Sequence, residues 1–189
     1  MLEALSISTG VVAIAEMGDK TQLLSLILAA RFRRPLPIVA GIFVATILNH
    51  FAAAWVGQQV AAWISPEILR WVIGLGFLAI AVWALIPDEM SEDEAQVQPY
   101  GAFVATLVAF FIAEMGDKTQ VATVALALKY QPLWQVVLGT TIGMMLANVP
   151  AVYLGQWIST RMHWLRRVRF IAAFLFALIG VLAMLGVGA

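Results

Sequence analysis

The sequence predicts an all-α integral membrane protein in which six transmembrane helices form two inverted-topology three-helix repeats. Composition, the spacing of apolar runs and an internal duplication together predict this fold. Of 189 residues, 62% are hydrophobic and 12% are charged, whereas a soluble domain averages roughly 45–50% apolar and about 25% charged residues. The composition therefore excludes a soluble enzyme and a disordered chain.

The charge balance and the absence of cysteine exclude further kinds of partner and site. Eleven basic residues balance eleven acidic residues, and the chain contains no cysteine. We expect no nucleic-acid partner, because such a partner requires an excess of positive charge to hold its phosphate backbone. Without cysteine the chain can form neither a disulfide nor a thiolate metal site.

Six apolar runs, separated by polar or proline-containing breaks, are each long enough to cross a bilayer, which takes about 20 mostly apolar residues. The predicted spans are 4–30, 37–63, 68–87, 100–128, 134–158 and 168–187. We expect the first three spans to form repeat 1 (residues 1–87) and the last three to form repeat 2 (residues 100–189). An acidic linker at 88–99 joins the two repeats.

Basic residues in the predicted loops indicate how the spans are oriented. Three arginines lie in the first loop and four lie in or beside the fifth, on the same side: Arg31, Arg33, Arg34, Arg161, Arg166, Arg167 and Arg169. The loops on the opposite side carry Arg70 and Lys129. Loops rich in Lys and Arg stay in the cytoplasm. We therefore expect a multi-pass protein of the cell's inner (plasma) membrane, with both termini outside and the acidic linker in the cytoplasm.

An internal duplication carries the most information. Residues 14–22, Ile-Ala-Glu-Met-Gly-Asp-Lys-Thr-Gln, recur without change at 112–120, and the same offset aligns Gly41 with Gly139. Each copy would cross the membrane three times, so the second copy must enter it inverted relative to the first. Inverted repeats are typical of secondary transporters, whose substrate site lies near the membrane midplane between the repeats.

Each copy of the motif places Glu, Asp and Lys inside an apolar span. Even the lowest insertion scale assigns a cost of ~2.5–3.5 kcal/mol to one Asp or Lys at a helix centre, so such residues indicate function. The four acids, Glu16, Asp19, Glu114 and Asp117, are candidate metal ligands. With Lys20 and Lys118 as charge-balancing groups the site carries a net charge of −2, which one divalent cation would neutralise. An all-oxygen donor set suits Ca²⁺, Mg²⁺ or Mn²⁺.

Neighbouring polar residues are candidate further ligands, namely Gln22, Gln120, Asn49, Asn148, Thr21 and Thr119. His50, in the middle of the second span, is a candidate proton carrier, although an interhelical hydrogen bond is an equal alternative for it and for Asn49. On a continuous helix Lys20 would lie one turn from Glu16 and could pair with it. Gly18 would either open the helix locally or allow close packing, and the sequence leaves both readings open. A buried ion-pair network that only joins the repeats is the structural alternative for the acids.

The doubled motif, Glu-Met-Gly-Asp-Lys-Thr within a six-span chain, resembles the signature of the Gdt1 family (uncharacterised protein family 0016). The resemblance covers the whole chain. It implies a Mn²⁺ or Ca²⁺ transporter that works by cation/proton antiport, with the four motif acids as the cation site. Similarity to the bacterial members implies Mn²⁺ export. The resemblance further implies no enzymatic activity and no cofactor, since the metal ion is the transported substrate.

We expect alternating access, in which movement of the two repeats exposes the acids to each side in turn. The expected partners are the divalent ion, protons and the lipid bilayer, and the sequence leaves open whether the chain acts alone or as a homodimer. Two alternatives belong to other classes. One is an exporter of a small organic cation or amino acid. The other is an intramembrane aspartyl hydrolase, which is disfavoured because Glu16 stands where the first glycine of a protease-type Gly-x-Gly-Asp motif would be.

Overall fold

The computed structural model describes residues 2–86, 101–155 and 167–186. Within these ranges the chain is entirely helical, which confirms the predicted all-α class. The helices are α1 (Leu2–Glu16), α2 (Lys20–Phe32), α3 (Pro35–Trp63), α4 (Pro66–Ala84), α5 (Ala102–Glu114), α6 (Lys118–Lys129), α7 (Leu133–Tyr153) and α8 (Val168–Met184). The predicted acidic linker, together with Arg161 and Arg166, lies outside the described residues.

Three of these helices, α3, α4 and α7, are long and apolar enough to cross a membrane, and α5 and α8 are shorter apolar helices. The structure divides the first and fourth predicted spans into two helices each. The first span becomes α1 and α2, and the fourth becomes α5 and α6. Both divisions fall inside the duplicated motif.

The two helix breaks have the same local geometry. Gly18 and Gly116 have φ angles of 84° and 74°, a left-handed conformation that glycine adopts without the steric penalty of a Cβ atom. Asp19 and Asp117 follow in extended conformation as the N-cap residues of α2 and α6. Of the two readings that the sequence left open for Gly18, the structure therefore has the open helix.

The two halves of the chain are interlocked. Helix α1 packs chiefly on α7 and α5 packs on α3, while α2 also contacts α7 and α6 also contacts α3. The long third helix of each half thus supports the broken helices of the other half. Helices α4 and α8 pack on each other, with Phe77 and Phe176 stacked at a centroid distance of 6.1 Å.

Glycines at matching positions in the two halves permit this close packing. A Cβ atom on Gly41 of α3 would lie 2.8 Å from the carbonyl oxygen of Phe103 on α5. A Cβ atom on Gly139 of α7 would lie 2.7 Å from the carbonyl oxygen of Leu5 on α1. These glycines are the pair that the sequence aligns, and each sits where a helix of the other half approaches.

Buried apolar side chains form two main clusters. The outer cluster, as we name it, contains residues of α1, α4, α6 and α8 with parts of α3 and α7, among them Phe77, Leu126 and Phe176. The inner cluster contains residues of α2, α3, α5 and α7, among them Leu24 and Phe110. Among the described residues, no side chain of α4 or α8 belongs to the inner cluster. The α4–α8 pair therefore contributes to the outer cluster and not to the inner one.

Candidate metal site

The four candidate acids lie at the two helix breaks. Glu16 and Glu114 are the last residues of α1 and α5, and Asp19 and Asp117 immediately precede α2 and α6. Both glutamates are 0% exposed and both aspartates are 4% exposed. The breaks therefore place all four carboxyl groups in the interior.

Three of the four acids converge. One carboxylate oxygen each from Glu16, Asp19 and Asp117 lies within 4.8 Å of the others. We call these three residues the carboxylate cluster. Its members come from both copies of the motif, so the copies meet at this point. A set of buried oxygen donors at such separations can hold one divalent cation between them.

Glu114 is placed differently from Glu16. Its carboxylate lies near enough to Glu16, Asp117 and Asp19 to interact electrostatically with them, but it is not a member of the 4.8 Å cluster. Within the described part of the chain, neither of its oxygens has a hydrogen-bond partner. Two identical nine-residue sequences thus give their glutamates different surroundings.

Glu16 accepts hydrogen bonds from threonines of both copies. The hydroxyl of Thr21 donates to Oε2 at 2.6 Å, and the hydroxyl of Thr119 donates to Oε1. Hydrogen bonds to an ionised carboxylate are stronger than neutral ones and fix its orientation. Both threonines therefore orient Glu16, and a ligand role for them stays a prediction.

The lysines cross between the copies. Lys118 Nζ lies 2.8 Å from Asp19 Oδ1, and Lys20 Nζ lies 3.7 Å from Asp117 Oδ1. The sequence suggested that Lys20 could pair with Glu16 along one continuous helix. The break after Glu16 removes that helical register, so Lys20 faces the opposite copy instead. The sequence offers no signal for this crossing, because it arises only when the two breaks meet.

The glutamines hold the breaks in shape. Gln22 Oε1 accepts from the backbone N–H of Gly18 at 3.0 Å, and Gln120 Oε1 accepts from the N–H of Gly116 at 2.8 Å. The amide nitrogen of Gln22 donates to the carbonyl oxygen of Ala147 at 2.9 Å. The side-chain oxygens of both glutamines are thus engaged by the backbone.

The two asparagines join helices near the breaks. The Asn49 amide donates to the carbonyl oxygen of Phe111 at 3.2 Å, next to the end of α5. Asn148 Oδ1 accepts from the hydroxyl of Ser25 at 2.9 Å. Ser25 shows how sequence reasoning can miss a contact, since a lone serine in an apolar helix carries no signal of its partner. A ligand role for the asparagines stays a prediction.

His50 is fully buried, and among the described residues neither ring nitrogen has a hydrogen-bond partner. Its role as a proton carrier stays a prediction. Met115, beside Glu114, is 60% exposed, and neither it nor Met17 belongs to the carboxylate cluster, whose donors are oxygens.

Comparison with known proteins identifies the family of the chain. A family model described as "Divalent cation/proton antiporter GDT1" matches residues 4–92 and 102–188, and each matched segment contains one copy of the motif. The chain belongs to the GDT1 family. This confirms the resemblance inferred from the doubled motif. Because the GDT1 family is one of cation/proton antiporters, membership favours a transporter over an intramembrane hydrolase.

GDT1 relatives cover almost the whole chain. A protein of Vibrio cholerae named "Putative manganese exporter" is 50% identical over 182 residues, which span 96% of this chain and 90% of the relative. A GDT1-like protein of Synechocystis is 27% identical over 97% of both chains. GDT1-like protein 5 of Arabidopsis thaliana is 27% identical over 98% of this chain and 96% of its own. No solved structure matches the chain.

Proposed function

We propose that this GDT1 protein exports Mn²⁺ from the cytoplasm in exchange for protons, with Ca²⁺ as the second candidate substrate. The observation that carries the proposal is the convergence of Glu16, Asp19 and Asp117 within 4.8 Å of one another. Carboxylate oxygens are ligands of choice for Mn²⁺ and Ca²⁺. The name of the Vibrio relative favours Mn²⁺.

Charge explains why a cation and protons would alternate at this site. The four acids and two lysines of the motif leave a net charge of −2 in the interior. An uncompensated charge in a poorly solvated environment is costly. One divalent cation removes the imbalance, and protons on the acids remove it equally well. The empty, unprotonated site is the disfavoured state, so transport of metal in one direction would be tied to transport of protons in the other.

We propose that the eight helices form six membrane spans in two inverted repeats, 1–87 and 100–189. In this arrangement α1–α2 and α5–α6 each make one interrupted span. The packing between the halves supports this arrangement, because the contact of α1 with α7 and the contact of α5 with α3 are equivalent under the repeat. The glycines add support: Gly57 of α3 approaches α6 at Val124, and its counterpart Gly155 approaches α2 at Leu26. The expected orientation puts the termini outside the plasma membrane and the 88–99 linker in the cytoplasm.

The packing of each repeat on the other limits which helices can move to expose the site to the two sides of the membrane in turn. Because the broken helices of each repeat pack on the third helix of the other, the repeats cannot readily move as two separate bodies. The α4–α8 pair is attached differently, since in the described part of the chain it contributes buried residues to the outer cluster and none to the inner cluster. We propose that this pair moves against the other six helices. With α1 and α6 in the outer half of the membrane, the outer cluster would close the site toward the outside.

Purified protein in liposomes tests the function. A pH gradient should drive Mn²⁺ flux, and Glu16→Gln or Glu114→Gln should abolish it. Glu67→Gln is the matched control, because Glu67 is an exposed acid in the first turn of α4, remote from the motif. Titration of the detergent-purified protein with Mn²⁺, Ca²⁺, Mg²⁺ and Zn²⁺ would rank the substrates. Undiminished transport in both site variants would contradict the proposal.

A further inference from the structure

The two motif lysines occupy positions that their own helices disfavour. Lys20 and Lys118 are the first residues of α2 and α6. The amino terminus of a helix carries a partial positive charge, so a cation there is locally unfavourable. Lys118 and its aspartate partner have side-chain exposures of 6% and 2%, so solvation returns little of that cost. The compensation must come from the acids that these lysines contact.

Each lysine contacts an aspartate that is also a member of the carboxylate cluster. Lys118 meets Asp19 at 2.8 Å, and Lys20 meets Asp117 at 3.7 Å. A divalent cation bound to the cluster would seek the same carboxylates. An ammonium group and a metal ion at such short range repel each other, and both draw on the same carboxylate charge.

We propose that Lys20 and Lys118 are internal counter-ions that compete with the transported metal for Asp19 and Asp117. This inference rests on the proposed function. In the metal-free site the ammonium groups hold the aspartates, and an arriving metal ion displaces them. The lysines thereby lower metal affinity and promote release, as a transporter requires at the side of delivery.

The crossed lysine contacts mean that competition between lysine and metal also affects the contact between the two copies. Because each lysine reaches the aspartate of the other copy, displacing it removes a contact between the copies. Metal binding thus replaces the lysine contacts with a metal-bridged contact between Asp19 and Asp117, which ties occupancy to a rearrangement of the two breaks. The Lys118 contact is shorter and less exposed than the Lys20 contact, whose side chains are 13% and 3% exposed. Lys118 therefore has the larger influence.

Neutralising substitutions test the inference, because it predicts tighter Mn²⁺ binding, whereas the loss of a purely structural contact would weaken Mn²⁺ binding. In Lys118→Gln, Mn²⁺ should bind the purified protein about tenfold more tightly, the order expected from removing one poorly screened positive charge. In liposomes KM and the maximal flux should both fall, because the metal is held longer. Lys20→Gln should change both quantities in the same direction by a smaller factor. Lys118→Arg should restore near-normal affinity and flux, since it keeps the charge.

Lys129→Gln is the control, because it removes a charge from the end of α6 without entering the motif, and it should leave Mn²⁺ affinity unchanged. Weaker or unaltered Mn²⁺ binding by a folded Lys118→Gln protein would overturn the inference. If that variant does not fold, Lys20→Gln decides by the same criterion. Absence of Mn²⁺ binding by the wild-type protein would instead overturn the proposed function.

Discussion

Thr119, in the second copy of the motif, donates its hydroxyl hydrogen bond to the carboxylate of Glu16 in the first copy. The bond links residues 103 positions apart and joins the start of α6 to the end of α1. Glu114 has no such donor among the described residues. The two glutamates of an exactly duplicated motif are therefore structurally inequivalent, and Thr119 is the residue that distinguishes them.

Removing the Thr119 hydroxyl should damage the site while leaving its volume nearly unchanged. Hydrogen bonds to charged groups contribute about 1.5–3 kcal/mol, so Thr119→Val should lower stability by that order and weaken Mn²⁺ binding several-fold. Thermal unfolding and Mn²⁺ titration measure the two effects. Thr123→Val is the control on the same helix, since its hydroxyl donates to a backbone carbonyl within α6. Equal effects from both variants would show that the Glu16 contact is not special.

Alanine at Gly116 should impair the break through the backbone alone. A Cβ atom there would meet nothing within 4 Å, but the φ angle is +74°. Holding a residue with a Cβ in the left-handed region costs roughly 1–2 kcal/mol, so Gly116→Ala should lower the melting temperature and the Mn²⁺ flux. Gly76→Ala is the matched control, because Gly76 also has free space but lies within α4. A stable, fully active Gly116→Ala protein would refute the role of the left-handed break.

Close packing of α3 on α5 should not tolerate a side chain at Gly41. A Cβ atom there would lie 2.8 Å from the Phe103 carbonyl oxygen and from the Thr106 Cβ. Overpacking of this kind typically costs 1–3 kcal/mol, so Gly41→Ala should lower the yield of folded protein and its melting temperature. Gly10→Ala, at an open position of α1, should be neutral. A similar loss at both positions would indicate a cause other than the close approach of α5 to Gly41.

Acidification should weaken metal binding. Protons and Mn²⁺ compete for the same carboxylates, and ligands must be deprotonated to hold a metal. The apparent dissociation constant for Mn²⁺ should therefore rise as the pH falls, and binding should release protons into a weakly buffered solution. Isothermal titration in buffers of different ionisation enthalpy counts the protons. Binding that is independent of pH and releases no protons would contradict proton-coupled exchange at this site.

Membrane topology can be tested by labelling introduced cysteines, because the chain contains no cysteine of its own that would react. Ser91→Cys, in the predicted linker, should react with a membrane-impermeant thiol reagent only after the cytoplasmic side is exposed. Leu2→Cys should react in cells whose plasma membrane is intact, once the reagent has access to the outer face of that membrane. Labelling of both cysteines from the same side would contradict the expected orientation.

Much of this protein is encoded locally and can be deduced without coordinates. An apolar composition and long apolar runs predict helices in a membrane, because backbone polar groups cannot remain unpaired in lipid and a helix pairs them within itself. The recurrence of nine residues identified the family and predicted the four acids as metal ligands. The helical class and the family are confirmed because they depend on residue type and spacing, which do not change with the packing of the chain, and the metal role of the acids stays a prediction.

The tertiary structure decided the contacts that side chains of one motif copy make with the other copy. Gly18 is compatible in sequence with close packing and with a helix break, and only the tertiary structure shows its left-handed conformation, with its N–H donated to Gln22 Oε1. The crossed lysines depend on how the two breaks meet in space. The hydroxyl groups that favour Glu16 over Glu114 cannot follow from two identical motifs, since identical sequences carry no information about their differences. Those differences exist only in the folded chain, where, among the residues that the structure describes, α4 and α8 contribute to the outer cluster with α1 and α6 and not to the inner cluster with α2 and α5.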